Sequence, residues 1–547
     1  LKIMFIYMII LLFICVFLLY ATRNHRYWSQ RNVKHDTPVP LFGNHFKNLF
    51  GIKSITQVAN DLYYKYPEEK VVGYYQGRTP ELLIRDLDIA RHILNVDFGH
   101  FYMRGLGRDG DIETLLKSLF HAEGDLWKLL RQRLTPAFTT AKLKSMFPLI
   151  INCAEKLHLA GDNIVKSGGE CDIREFMARF TTEFIGACGF GIEMDSINNE
   201  NSTFRALGAK MFSRSFRDMF LLGLWQIIPE IRKMLHVSDI RIKTAITGIV
   251  TTIFEQRNYK SIGRHDFIDM LLELADKGVI TGESLEKFDE YGKPKLAEVN
   301  MDMDMLVAQV FVFFAAGFET SSSASSFTLH QLALNPHIQI KVQKEIDQVL
   351  SKYNNKLSYD AISEMTYLDM AFKEGMRLFP SLGVLHRECT RKYTIPQLGI
   401  TIDPGVKIMI PIQAIQTDEK YYDNPKEFRP ERFLSDNLKE SVKYTYLPFG
   451  EGPRACIGEC FTYKYNIVTT SIFKVNVSFN HILSLTVKMK LKVTVLYLTK
   501  HKREAFCNWR SVKLSINTSI LFEWHFINII FNTTFLKVKN ITMNLLL

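Results

Sequence analysis

The chain has 547 residues, with 68 Lys+Arg against 57 Asp+Glu, 47% hydrophobic and 23% charged, a globular composition that excludes disorder, collagen and a multi-span transporter. The net charge of +11 collects in residues 475–547, which hold 10 Lys+Arg and 2 Asp+Glu and leave 58 against 55 for the rest. No basic-aromatic stripe accompanies it, so nucleic-acid binding is excluded. Eight cysteines without CxxC spacing indicate a reducing compartment.

Residues 3–22 form an uncharged run of Ile, Leu, Phe and Met, the length a helix needs to cross about 30 Å of hydrocarbon. A cleaved signal peptide is the alternative, but no small-x-small site ends the run and Arg23, Arg26, Arg31 and Lys34 follow at once. These cations predict an anchor with the following chain on the cytosolic side. Residues 23–44, with Pro38 and Pro40, predict a stiff hinge. One large domain is expected from 45 to 474, since no linker or repeat interrupts it.

Most of 110–380 reads as helix from apolar spacings of three and four, as in Met370 to Phe379, while strand-like runs occur at Val71 to Tyr75, Leu82 to Arg85 and Val406 to Ile412. The expected class is mainly α with a minor β region. Trp127 and Arg131 share a helix face. The stretch from Val307 to Phe318 is nearly uncharged and leads through Gly317 into Glu319 and Thr320, which predicts a buried helix, and taken alone reads as a glycine-weakened core helix followed by an ordinary Glu-Thr. Glu374 and Arg377 lie one turn apart, and Arg432 can complete a charge-assisted network. Taken alone, such a pair reads as solvated surface.

The sharpest signal is Phe449-Gly450-Glu451-Gly452-Pro453-Arg454-Ala455-Cys456-Ile457-Gly458. Glycines let backbone approach a flat cofactor, N–H groups aimed at the sulfur favour a metal-bound thiolate, and Arg454 can meet a carboxylate on the cofactor rim. A turn around a buried structural cysteine is the alternative. Beyond it the last proline is Pro453 and the last glycine Gly458, although turns lean on both. Residues 475–547 are therefore unassigned and read as translated noncoding sequence.

The pattern at Phe449, Gly452, Arg454, Cys456 and Gly458 resembles the haem-binding loop of the cytochrome P-450 family. Other motifs resemble the same family in the same order: Trp127 and Arg131, Gly317-Phe318-Glu319-Thr320, Glu374 with Arg377, and Phe428 to Phe433 containing Arg432. The resemblance runs to about Phe461, and its texture is similar to microsomal insect members that oxidise foreign lipophilic compounds. It implies a P-450-like fold with haem as cofactor and Cys456 as axial iron ligand. It implies that Trp127, Arg131, Arg387 and Arg454 contact the haem edge, and that Glu374, Arg377 and Arg432 brace the fold behind it. Gly317, Glu319 and Thr320 are implied in oxygen activation.

The implied reaction inserts one atom of O2 into a small lipophilic substrate, with electrons from NADPH through a separate flavoprotein reductase. The implied place is the endoplasmic reticulum membrane, catalytic domain in the cytosol. Substrate contacts are implied for the loop from Phe101 to Leu119. Where the family continues with arginine this chain has Cys460, and its final strands are not recognisable in the tail. A catalytically silent haem-binding product is therefore the second reading.

Overall fold

The computed structural model describes residues 2–475 apart from 107–109, 111–112, 168–171, 200–201, 213–215, 228–239, 265 and 435–443. Residues 476–547, nearly all of the tail expected to be noncoding, lie outside the described residues. The described chain is mainly helical with small sheets, which matches the expected class.

The first helix, Lys2–Thr22, carries no charge between Ile3 and Thr22 and is exposed over most of its length, with Ala21 buried at its end. Met303–Leu334 is the second described helix long and apolar enough to cross a membrane, but 18 of its 32 residues are buried. Residues 23–44, expected as a hinge, are seated on the sheet. Trp28 is fully buried, its indole N–H donates to the Tyr74 carbonyl at 3.0 Å, and Arg31 pairs with Asp403 at 2.6 Å. The prolines stiffen a segment that is already packed.

The main sheet has four strands in the order Val71–Gln76, Thr79–Ile84, Lys407–Ile410 and Leu385–Glu388. The first pair is antiparallel with Val71 opposite Ile84, the second parallel with Leu82 opposite Ile408, the third antiparallel with Arg387 opposite Ile408. Gly73 lies opposite Leu82 and Tyr74 opposite Glu81, so Tyr74 and Leu82 face opposite sides of a sheet whose two faces are both buried, and Tyr74, Leu82 and Ile408 belong to one apolar cluster with Trp28. The last strand places Arg387 fully buried.

The larger core gathers around the central helix Met303–Leu334. Asp302 caps it by accepting from the Met305 N–H at 2.8 Å, worth about 1 kcal/mol. Leu306, Val310, Phe314 and Phe318 bury into the helical core. No proline interrupts it, and the helix runs through Gly317 unbroken. There, an added Cβ would stand 2.7 Å from Ile185 Cδ1, so glycine permits close approach of the helix Ile173–Ile185.

One departure from the helical reading of 110–380 is the hairpin Val279–Phe288 and Pro294–Asn300. It lies on the helix Gly124–Leu134, where Asp125 accepts from Ser284 Oγ at 2.6 Å and Arg133 donates to the Thr281 carbonyl at 3.0 Å. Lys128 of the same helix stands 3.8 Å from Glu283.

Candidate functional site

The cysteine loop is shaped by its glycines. Gly450 and Gly452 have φ of +74° and +77°, and a Cβ on Gly452 would lie 2.0 Å from the Leu94 carbonyl oxygen. Left-handed backbone and contact of this kind exclude side chains. The Cys456 N–H donates to the Phe449 carbonyl at 2.8 Å, which closes the loop. The helix Glu459–Val475 then leads away. Phe449 packs against Tyr463 of that helix, ring centres 5.0 Å apart, beside a cluster of Ala324, Phe372 and Met376.

Cys456 is exposed by surface area, yet enclosure by the chain pushes its thiol pKa up, against the pull of the Gly458 N–H and the charges of Arg131 and Arg104. The two observations agree for a thiol lining a hollow that solvent enters. Cations around it favour the thiolate.

Arginines converge beside this thiol. Arg454 donates to the Tyr102 carbonyl at 2.7 Å, to the Ala122 carbonyl at 2.9 Å and to Glu123 at 2.5 Å. Arg131 donates to the Ala455 carbonyl at 2.8 Å, and Arg104 to the Phe120 carbonyl at 2.5 Å. Arg387 donates to the His386 carbonyl at 2.8 Å. Burial lowers Arg387 and Arg454 to about 9 and Arg104 to about 10, with Glu123 opposing the fall in each case.

Buried without a partner remain Nε and Nη2 of Arg387 and Nη1 of Arg454. A buried charged donor left unpaired is costly, and carboxylates from a bound group are its natural complement. This donor set fits a flat anionic cofactor over the Cys456 sulfur.

The central helix meets the same region. Phe138 stands between them, its ring 6.1 Å from that of Phe313 and 3.9 Å from a Cβ placed on Gly458. Thr320 donates its hydroxyl to the Ala316 carbonyl, one turn back, and its own carbonyl accepts from Ser381 Oγ at 3.2 Å. Glu319 points elsewhere, into an ion pair with Arg174 of the helix Ile173–Ile185.

Glu374, Arg377 and Arg432 meet. Arg377 donates twice to Glu374, at 2.7 and 2.8 Å, and Arg432 Nε reaches the same carboxylate at 3.3 Å. Arg377 also donates to the carbonyls of Gln416 and Pro425 at 2.7 and 2.8 Å. Glu374 and Arg377 are fully buried, so this is no solvated surface pair.

Sequence reading missed Arg104, Glu123 and Arg174. Each finds its partner through the fold: Glu123 and Arg454 are 331 positions apart, Arg174 and Glu319 145. No local pattern announces them.

A family model described as Cytochrome P450 matches residues 33–469. The chain is similar to "Cytochrome P450 6B2" of Helicoverpa armigera, 36% identical over 445 residues, covering 81% of this chain and 86% of that one. It is similar to "Cytochrome P450 6a2" of Drosophila melanogaster, 35% identical over 474 residues, covering 84% and 90%. "Cytochrome P450 6B1" of Papilio polyxenes is 35% identical over 444 residues, covering 81% and 86%.

Proposed function

The chain belongs to the cytochrome P450 family of haem-dependent monooxygenases, and from that premise we propose a membrane-anchored enzyme that oxidises small lipophilic compounds with electrons from an NADPH-dependent flavoprotein reductase. The observation that carries this reading is the accessible Cys456 thiol in the field of Arg131 and Arg104, with the partnerless buried nitrogens of Arg387 and Arg454 in the same group of arginines.

Haem, when bound, supplies the iron at which O2 is reduced. Cys456 would hold that iron through its thiolate. Arg387 and Arg454 hold the carboxylates, Arg131 adds charge, and Trp127 backs Arg454. Gly452 and Phe449 set the shape of the loop. Glu374, Arg377 and Arg432 brace the segment behind it.

Thr320 holds a proton at its hydroxyl on the central-helix face shared with Ala316, and Glu319 supplies protons when it leaves Arg174. Gly317 keeps the helix close to Ile185, so the position of Thr320 is fixed by packing.

The anchor is residues 3–22 and the haem domain 45–474, with segment 23–44 packed onto that domain rather than hinged from it. An exposed aromatic cluster supports contact of the domain itself with lipid: the Phe42, Phe46 and Phe50 rings lie within 4.6 to 5.8 Å of one another, with Phe50 and Ile52 each 56% exposed. Cations following the anchor favour the cytosolic face of the endoplasmic reticulum.

The test is the reduced carbon-monoxide difference spectrum of the full chain, followed by NADPH-dependent product formation with added reductase. The red-shifted thiolate band with turnover supports the proposal. A band without product favours a catalytically silent haem protein, and no band rejects both.

A further inference from the structure

Gln309 is fully buried on the central helix, in a stretch that otherwise packs apolar side chains. Its carboxamide uses both ends. Oε1 accepts from the Leu119 N–H at 2.9 Å, and Nε2 donates to the Lys117 carbonyl at 3.1 Å and to the Met305 carbonyl at 3.2 Å. The segment so gripped is the short 3-10 helix Thr114–Lys117 with its exit, whose Leu115, Leu116 and Ser118 are buried.

At 100° per residue, Gln309, Phe313, Ala316 and Thr320 follow one stripe of the helix, spaced by four, three and four. The amide therefore fixes a loop to the helix face that carries Thr320. Apolar side chains could fill the same volume, whereas the amide, with a donor and an acceptor on separate atoms, answers a carbonyl and an N–H two residues apart. A buried amide left half satisfied costs more than it contributes, so the grip is all or none.

We infer that Gln309 is a positioning residue that latches segment 117–119 over the substrate side of the central helix and thereby sets which substrate sizes are accepted. This rests on the monooxygenase reading above for its substrate arm, but the latch stands on geometry alone. Gln309→Met keeps the volume and removes the hydrogen bonds.

The experiment uses the full-length holoenzyme. Amide hydrogen exchange at Leu119 is expected to accelerate tenfold or more in Gln309→Met, with the carbon-monoxide band unchanged. Turnover of 7-methoxycoumarin and 7-benzyloxycoumarin is expected to shift in KM rather than kcat, moving their kcat/KM ratio by fivefold or more. Gln309→Glu, which keeps an acceptor for Leu119 but sets a carboxylate oxygen against the Lys117 and Met305 carbonyls, is expected to lose the protection as Gln309→Met does. Gln309→Asn, which withdraws the amide by one methylene, repeats the test should Gln309→Met misfold.

Unchanged exchange at Leu119 overturns the latch. Faster exchange with an unmoved substrate ratio overturns its role in selection. If the wild type shows no carbon-monoxide band, the monooxygenase reading fails, and Leu119 exchange still decides the latch.

Discussion

The guanidinium carbon of Arg454 lies 4.3 Å from the centre of the Trp127 ring, while the nitrogen Nη1 of the same arginine is buried and unpartnered. Trp127 thus packs flat against a cation whose unpartnered nitrogen is proposed to meet a carboxylate of the cofactor. A cation-π contact of this kind contributes about 0.5–2 kcal/mol. Trp127→Leu is expected to speed haem transfer to apomyoglobin by roughly 2- to 30-fold, the same range in rate. Equal transfer rates in the two proteins would remove the tryptophan from the cofactor site.

The cysteine loop and the central helix are legible in the sequence because their constraints are local. Gly452 must be glycine wherever φ is +77° and a carbonyl stands in the place of its Cβ, and such a demand marks the sequence itself. The hairpin Val279–Asn300 is not legible, because the inward positions Ile280, Gly282 and Ser284 of its first strand hold one large apolar residue among three, so the period of two shows in burial but not in hydrophobicity. Arg174 and Glu123 are silent for another reason. Their meaning lies in partners brought by the fold, and a lone surface-type charge carries no sign of its future neighbour.

Removing one member of a buried ion network strands the others. Glu374 and Arg377 are fully buried, and breaking such a pair costs about 3–5 kcal/mol. Arg377→Met is therefore expected to lower the urea midpoint sharply or prevent accumulation of folded protein. Glu374→Met together with Arg377→Met, which leaves no stranded charge inside the pair, is expected to cost less than either replacement alone predicts. A midpoint within experimental error of wild type in Arg377→Met would show that the network does not brace the domain.

Arg174 and Glu319 join two helices through a half-buried pair, 22% and 24% exposed at the side chains. The pair restrains the carboxylate assigned to proton supply. Arg174→Gln frees it while leaving the cysteine loop untouched, so haem content is expected to stay constant while product formed per NADPH changes by about 2- to 5-fold, the scale of a 0.4–1 kcal/mol ion pair. Constant coupling would mean that Glu319 serves only to join the helices.

Thr320 offers a single hydroxyl, now bonded to the Ala316 carbonyl. Thr320→Ala removes the proton holder together with its γ-methyl, a loss of two heavy atoms at a half-buried position. Coupled product formation is expected to fall by about 10²-fold or less, the lower end of what positioned proton transfer supplies, with NADPH consumption persisting and the carbon-monoxide band intact. Unaltered product yield would detach Thr320 from the chemistry.

Acid stability should depend on His45, which is buried beside Tyr74 with Nδ1 2.8 Å from the tyrosine hydroxyl. Burial lowers its pKa to about 4 from 6.5, Lys407 adds to the fall, and Asn48 opposes it. Between these values the ring is neutral in the folded chain and protonated in the unfolded one. The folded state is thus undiminished above 6.5 and loses stability as pH falls toward 4, by about 3 kcal/mol at the end of that window. His45→Gln keeps a partner for the Tyr74 hydroxyl and removes the titration. In urea unfolding from pH 7 to 4 the wild type is expected to lose stability relative to His45→Gln as acid is added, because only the wild type takes up this proton on unfolding. Parallel curves would place the acid sensitivity of the domain in its carboxylates instead.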